Sequence, residues 1–85
     1  LDMVRSQIDS VDRQILQAMV TRMALVDEVA GIKANHKLAV VQPGRMLAMR
    51  ERLQKRFKNI LSDQVVADYL NLMTTTAIQR EEAQI

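Results

Sequence analysis

The sequence contains no cysteine, one proline, two glycines and only two aromatic residues, Phe57 and Tyr69. The lack of cysteine excludes disulfide bonds and thiolate zinc sites, and a single histidine, His36, excludes a histidine-rich metal centre. No apolar run approaches the roughly 20 residues that span a membrane. The net charge is only +2, and acidic and basic residues are interspersed, so we expect neither a nucleic acid nor a membrane as a partner.

The residues that are present favour one small all-α domain. Apolar residues make up 48% of the 85 positions, and the core must be built from leucine, valine, isoleucine and six methionines, which suit helices better than a sheet. Residues 4–33 contain no proline and a single glycine, and their apolar residues recur every three or four positions. This pattern predicts a first helix from Leu1 or Asp2 to about Ala34.

The predicted first helix is too long for its own domain. Some 33 residues at ~1.5 Å each make a rod of about 50 Å, whereas a compact globule of this size has a diameter of roughly 30 Å. The apolar stripe follows nearly the whole rod, so another chain must cover the part that overhangs. We therefore expect an intertwined homodimer.

Two shorter helices are predicted after this rod. Gln42, Pro43 and Gly44 mark a loop, and Pro43 suits the first residue of a second helix that continues to about Lys58. Ser62 is a good N-cap for a third helix that continues to the end of the chain. The predicted fold is three helices, of which the first is very long.

Several cations lie in or beside the apolar faces of these helices. Arg22 interrupts the stripe of the first helix, Lys33 follows three turns later in nearly the same direction, and Arg45 lies at the edge of the apolar face of the second. Buried cations need anionic partners, and arginine binds a carboxylate through two parallel hydrogen bonds. The pattern indicates a small dicarboxylate ligand. Alternatively, three acids neutralise these cations within the dimer: Asp12, Asp27 and Glu28.

Arg5 is too distant to join this cluster within one chain. It precedes Arg22 by seventeen residues, so it lies ~25 Å away along the rod and points in another direction. An antiparallel partner helix would bring Arg5 to the Arg22 of the other chain. We therefore expect a site that two chains share.

The sequence offers no group for covalent or metal-dependent catalysis. It provides no Ser-His-Asp or Cys-His arrangement, no glycine-rich phosphate loop and no carboxylate cluster that could hold a metal ion. We accordingly expect no metal and no cofactor.

The first helix carries a recognisable pattern. It reads R-x-x-I-D-x-x-D-x-x-I-L from Arg5 to Leu16, followed by Arg22-Met23 and then Lys33. This pattern, with the three-helix layout and the place of Arg45, resembles the all-helical chorismate mutase family over essentially the whole chain. The resemblance implies one chorismate mutase-like helical domain, residues 1–85, in an intertwined dimer whose two active sites are each lined by both chains.

The resemblance also implies roles for the cations. Arg22 and Arg45 would bind a substrate carboxylate or neighbouring groups, and the other subunit would contribute Arg5. Lys33 would donate a hydrogen bond to the ether oxygen of the C–O bond that breaks.

A residue of the last helix, normally glutamine or glutamate, would be the second donor to that oxygen. We assign this role to Glu81, with Ala77 where the family has a small polar residue four positions earlier. An alternative register uses Thr75 and Gln79. We prefer Glu81 because it continues the apolar line from Met73 through Ala77.

The start of the second helix departs from the family pattern. The family commonly has aspartate and then Arg-Glu, where this chain has Gln42, Arg45 and Met46, all three assigned to the substrate site. The missing glutamate removes the usual partner of the C4 hydroxyl group of chorismate. The related isochorismate pyruvate lyases also have a non-acidic residue here, and the string from Pro43 to Met49 resembles theirs. Exported chorismate mutases can lack this glutamate too.

The function that the resemblance implies is the pericyclic rearrangement of chorismate to prephenate in aromatic amino-acid biosynthesis. Catalysis would come from holding the substrate in its compact diaxial form and stabilising negative charge on the ether oxygen. The alternatives are an isochorismate pyruvate lyase, which forms salicylate and pyruvate, and a non-catalytic helical dimer that binds a ligand or partner protein. We expect a cytoplasmic protein, with export as an alternative because the chain begins at Leu1 rather than methionine.

Overall fold

The computed structural model describes residues 1–39 and 42–83, and over these ranges the fold is all-α. Helix α1 spans Asp2–Asn35, α2 spans Pro43–Arg56 and α3 spans Asp63–Ala83. The prediction of three helices, the first very long, is confirmed. The predicted continuation of the third helix to the end of the chain lies outside the described residues beyond Ala83.

Helix α1 ends one residue after the predicted boundary, in a closed C-terminal turn. Lys37 adopts a left-handed backbone with φ of 56°, and the amide of Leu38 donates to the carbonyl of Lys33 at 2.8 Å. Such a turn satisfies carbonyl groups that the end of a helix would otherwise leave without partners. It therefore holds the last turn of α1, which carries Lys33.

Within the described ranges, neither α1 nor any other helix is long and apolar enough to cross a membrane.

The boundaries of the shorter helices follow local chemistry. Pro43 is the first residue of α2, where its missing amide hydrogen costs nothing. The Ser62 hydroxyl accepts a hydrogen bond from the amide of Val65 at 3.1 Å, which confirms the predicted N-cap. Helix α2 ends at Arg56, two residues before the predicted Lys58, because the chain turns through a left-handed residue at Asn59, with φ of 68°.

Helix α3 is the centre of the fold, since it packs against both α1 and α2. The predicted apolar face of α3 supplies the buried residues Val66, Leu70 and Met73, and α1 contributes the small Ala30 to this core. The molecule measures 52 × 25 × 15 Å with a radius of gyration of 15.6 Å, well above the ~12 Å of a compact chain of this length. The long α1 helix accounts for this excess in the radius of gyration.

The first half of α1 exposes its apolar stripe. Its large apolar residues, and Leu1 just before the helix, are each about half exposed or more: Leu1, Met3, Val4, Ile8, Val11, Ile15 and Leu16. A contiguous apolar surface of this extent on a soluble protein is typical of an interaction site. A single chain therefore leaves this apolar surface uncovered. The expectation of a dimer depends on this surface.

Candidate active site

An ion pair between α1 and α3 forms one wall of the candidate site. The Nζ of Lys33 lies 3.0 Å from the Oε1 of Glu81, and the exposed fractions of the two side chains are 15% and 7%. Burying a charge is costly unless a partner of opposite sign lies close. The two groups therefore hold each other at the wall, although 48 residues separate them in the chain.

A cavity of about 130 Å³, open on one side, lies beside this pair and is lined by all three helices. Six of the eight residues predicted for the site line it: Arg22, Lys33, Arg45, Met46, Ala77 and Glu81. The other lining residues are four apolar side chains and one threonine: Val26, Val29, Met49, Ile78 and Thr74. The packing of α3 against α1 and α2 thus brings most of the predicted residues together.

The cavity carries an excess of positive charge. Of the described lining residues, Arg22, Lys33 and Arg45 contribute three cations and Glu81 the one carboxylate, which leaves a surplus of two positive charges. Among the described residues, no carboxylate lies within 4.0 Å of either arginine. Such a surplus in a partly enclosed site favours a ligand with two negative charges.

A second ion pair joins α1 to α3 beside the site. The guanidinium of Arg80 binds the carboxylate of Asp27 through two parallel hydrogen bonds, of which the Nε–Oδ1 bond measures 2.9 Å. The hydrogen bond to Asp27 and its negative charge raise the pKa of Arg80. Because Arg80 adjoins Glu81 in α3, this contact sets the rotation of the helix that carries the carboxylate. Asp27, one of the three acids considered as partners for the site cations, therefore binds Arg80, which was not among those cations.

Two of the predicted site residues lie away from the cavity. Arg5 is exposed near the start of α1, as the helical distance to Arg22 requires. Gln42 is the N-cap residue of α2, and its Nε2 lies 3.5 Å from the carbonyl oxygen of Ala39 rather than in the cavity lining.

The two registers considered for α3 differ clearly in exposure. Ala77 and Glu81 line the cavity, and Glu81 is buried. Thr75 and Gln79 are exposed and absent from the lining. The side of α3 that faces the cavity is therefore the one that continues the Met73–Ala77 line.

Thr74 is the polar cavity residue that the sequence prediction missed. It precedes Ala77 by three positions and Glu81 by seven, so the three side chains share one face of α3. This spacing of three and seven residues could have identified Thr74 from the sequence. The Asp27–Arg80 pair left no comparable signal, because its partners are 53 residues apart and lie on different helices.

Comparison with known proteins agrees with this geometry. Residues 4–82 match the model of the family described as chorismate mutase type II. The T-protein of Haemophilus influenzae is similar, with 37% identity over 62 residues that cover 71% of this chain. The chain spans only 16% of that relative's length. No solved structure matches the chain. With nearly its whole length matched, the chain belongs to the chorismate mutase type II family.

Proposed function

We propose that this chain is a chorismate mutase, which rearranges chorismate to prephenate and so serves aromatic amino-acid biosynthesis. The observation that carries the proposal is the buried Lys33–Glu81 pair in the wall of a cavity with two surplus positive charges. Chorismate has two carboxylates and an ether oxygen, which correspond to the two arginines and to this pair. The rearrangement breaks one C–O bond and forms one C–C bond within a single molecule, so it needs no external nucleophile.

Arg22 and Arg45 would contribute by holding the substrate in a compact conformation. Arg22 comes from α1 and Arg45 from α2, so the two guanidinium groups approach the cavity from different helices. Two carboxylates bound from two directions fix the relative position of the carbon atoms that must join. Orientation of this kind lowers the entropic part of the barrier.

Lys33 would act on the bond that breaks. Negative charge grows on the ether oxygen as the C–O bond lengthens. The Lys33 side chain is largely buried, so the field of its ammonium group is less screened than in water. Because it interacts more strongly with the transition state than with the ground state, it raises kcat.

Glu81 can donate to the same oxygen only when its carboxyl group carries a proton. If Glu81 is the donor, the wild-type rate should fall as pH rises, because an ionised carboxylate has no hydrogen to donate. In Glu81→Gln the amide donates at every pH, so this dependence should disappear. The measurement is kcat/KM across pH for both proteins.

Glu82→Gln is the matched control, because Glu82 is the exposed neighbour in the same helix. It should keep the wild-type pH profile. An identical pH profile for wild type and Glu81→Gln would remove Glu81 from the role of donor.

The proposed enzyme is a homodimer in which Arg5 of the partner subunit completes each site. Two exposed apolar surfaces support this. One is the stripe on the first half of α1. The other is a cleft of about 390 Å³ between the end of α2 and the start of α3, lined by Leu53, Phe57, Leu61, Val65, Val66 and Tyr69. A second copy packed antiparallel along α1 would cover apolar surface on both chains and bring its own Arg5 towards Arg22.

Met46 favours a second candidate, an isochorismate pyruvate lyase. Met46 lines the cavity with a thioether, which is a weak hydrogen-bond acceptor. A hydroxyl group bound at this wall would therefore find no carboxylate from α2. A lyase acting on isochorismate would use the same cations for the two carboxylates of its substrate.

The test is a two-substrate assay on the purified protein. Chorismate and isochorismate are supplied separately and the products are resolved by chromatography. We expect prephenate from chorismate. Salicylate and pyruvate from isochorismate, without prephenate, would establish the lyase instead. A folded protein that turns over neither substrate would be a non-catalytic binding dimer.

A further inference from the structure

Among the described residues that line the cavity, Thr74 of α3 is the one uncharged side chain with a hydrogen-bond donor. The charged lining residues match the carboxylates and the ether oxygen of the proposed substrate, and the rest of the lining is apolar. Chorismate and isochorismate each carry one further polar group, a hydroxyl on the ring. A hydroxyl taken into a cavity without a partner loses its hydrogen bonds to water at a cost of about 1–3 kcal/mol.

The Thr74 hydroxyl is free to make that contact. Threonine in a helix commonly donates to the carbonyl four residues earlier. Thr76 does so to Leu72 at 2.9 Å and Thr21 to Gln17 at 3.2 Å. Thr74 is half-buried, and its hydroxyl forms no hydrogen bond to any residue in the described part of the chain.

Thr74 lies beside two methionines of α2. Thr74, Met46 and Met49 line both the candidate site and a neighbouring groove of about 300 Å³ between α2 and α3. The three side chains therefore form the ridge that separates these spaces. On this ridge the methionines offer weakly accepting sulfur atoms, whereas a hydroxyl both donates and accepts.

We propose that Thr74 is a specificity-determining residue whose hydroxyl group hydrogen-bonds the ring hydroxyl of the substrate. This inference rests on the proposed function for the identity of the substrate. It assigns the recognition of the hydroxyl to α3, opposite Arg45 and Met46 of α2. A site that pairs a substrate hydroxyl discriminates strongly against analogues that lack it, because its own polar group is then left without a partner.

The experiment compares Thr74→Val with the wild type on the substrate and on an analogue that lacks the ring hydroxyl. Valine has nearly the shape of threonine, so the change removes the hydroxyl and little else. We expect kcat/KM for the substrate to fall roughly 10- to 100-fold, and the two proteins to differ less than about 3-fold on the analogue. Thr74→Ser, which keeps the hydroxyl, should recover most of the activity.

Thr76→Val is the matched control, since it removes a hydroxyl from the same helix that already donates to Leu72. It should change kcat/KM by less than about 3-fold. Wild-type activity in Thr74→Val, no recovery in Thr74→Ser, or an equal loss on the analogue would each overturn the inference.

The same comparison can be made on the Kd of the substrate by calorimetry, so it also applies to a protein that binds without turnover. A wild-type protein that converts neither substrate would contradict the proposed function. Equal Kd values of wild type and Thr74→Val for a substrate that binds would contradict this inference. A wild type that neither binds nor converts either substrate overturns both.

Discussion

Replacing Lys33 with alanine should lower kcat/KM for chorismate by at least ~10³-fold while leaving the helical content unchanged. Removal of a single preorganised donor to a developing oxyanion costs roughly 10²–10³-fold in other enzymes. Lys33 also contributes a full positive charge on a side chain that is only 15% exposed. The measurement is the initial rate of prephenate formation, together with far-ultraviolet circular dichroism.

The loss of Lys33 also leaves Glu81 buried without the partner that the structure gives it, and a buried charge without a partner destabilises a fold. The double variant Lys33→Ala/Glu81→Gln removes both charges and separates a catalytic effect from a folding effect. It should melt at or above the temperature of Lys33→Ala and remain inactive. Lys37→Ala is the control for charge alone, because Lys37 is exposed at the same end of α1. If kcat/KM of Lys33→Ala lay within tenfold of the wild-type value, the assignment of Lys33 as the donor would be refuted.

Mixing two inactive variants should restore activity if Arg5 acts across the dimer. Arg5→Ala and Lys33→Ala are each expected to be nearly inactive alone. In a mixed dimer, one site combines the intact Lys33 of one chain with the intact Arg5 of the other, and the second site lacks both. Unfolding and refolding the two together at equal concentration makes about half the dimers mixed, so about a quarter of wild-type activity should return.

The result distinguishes a shared site from one built within a single chain. If Arg5 served the Lys33 of its own chain, every site in a mixed dimer would lack one residue and no activity would return. Refolding each variant alone is the control, and size-exclusion chromatography with light scattering measures the oligomeric state of all samples. A monomer at assay concentration, or a mixture as inactive as its components, would contradict the shared site.

The helices and their ends were predictable because the forces that form them are local. The lack of proline over residues 4–33 and the apolar spacing of three and four define α1, and Pro43 and Ser62 define the starts of α2 and α3. Helical geometry also gave the direction of Arg22 and Lys33 and the distance to Arg5. The motif in the first helix then supplied a family, which the match over residues 4–82 confirms.

The contacts that make the site depend on how α3 is rotated against α1 and α2. Its helical period defines a face, but the choice between Glu81 and Gln79 depends on side chains far away in sequence. The packing of Leu70 and Met73 in the core and the ion pair of Asp27 with Arg80 set that rotation. With α3 so oriented, Glu81 meets Lys33 in the wall of the cavity.

The packing of the helices also explains which residues line the cavity and which do not. Thr74 faces the cavity because it shares the Glu81 face of α3, and Gln42 stays outside because it caps α2 beside Ala39. The sequence by itself determined the secondary structure, the excess length of α1 and the set of cations, since each follows from spacing along one helix. Only the tertiary structure decided which groups meet, because pairing between helices depends on packing that no local pattern encodes.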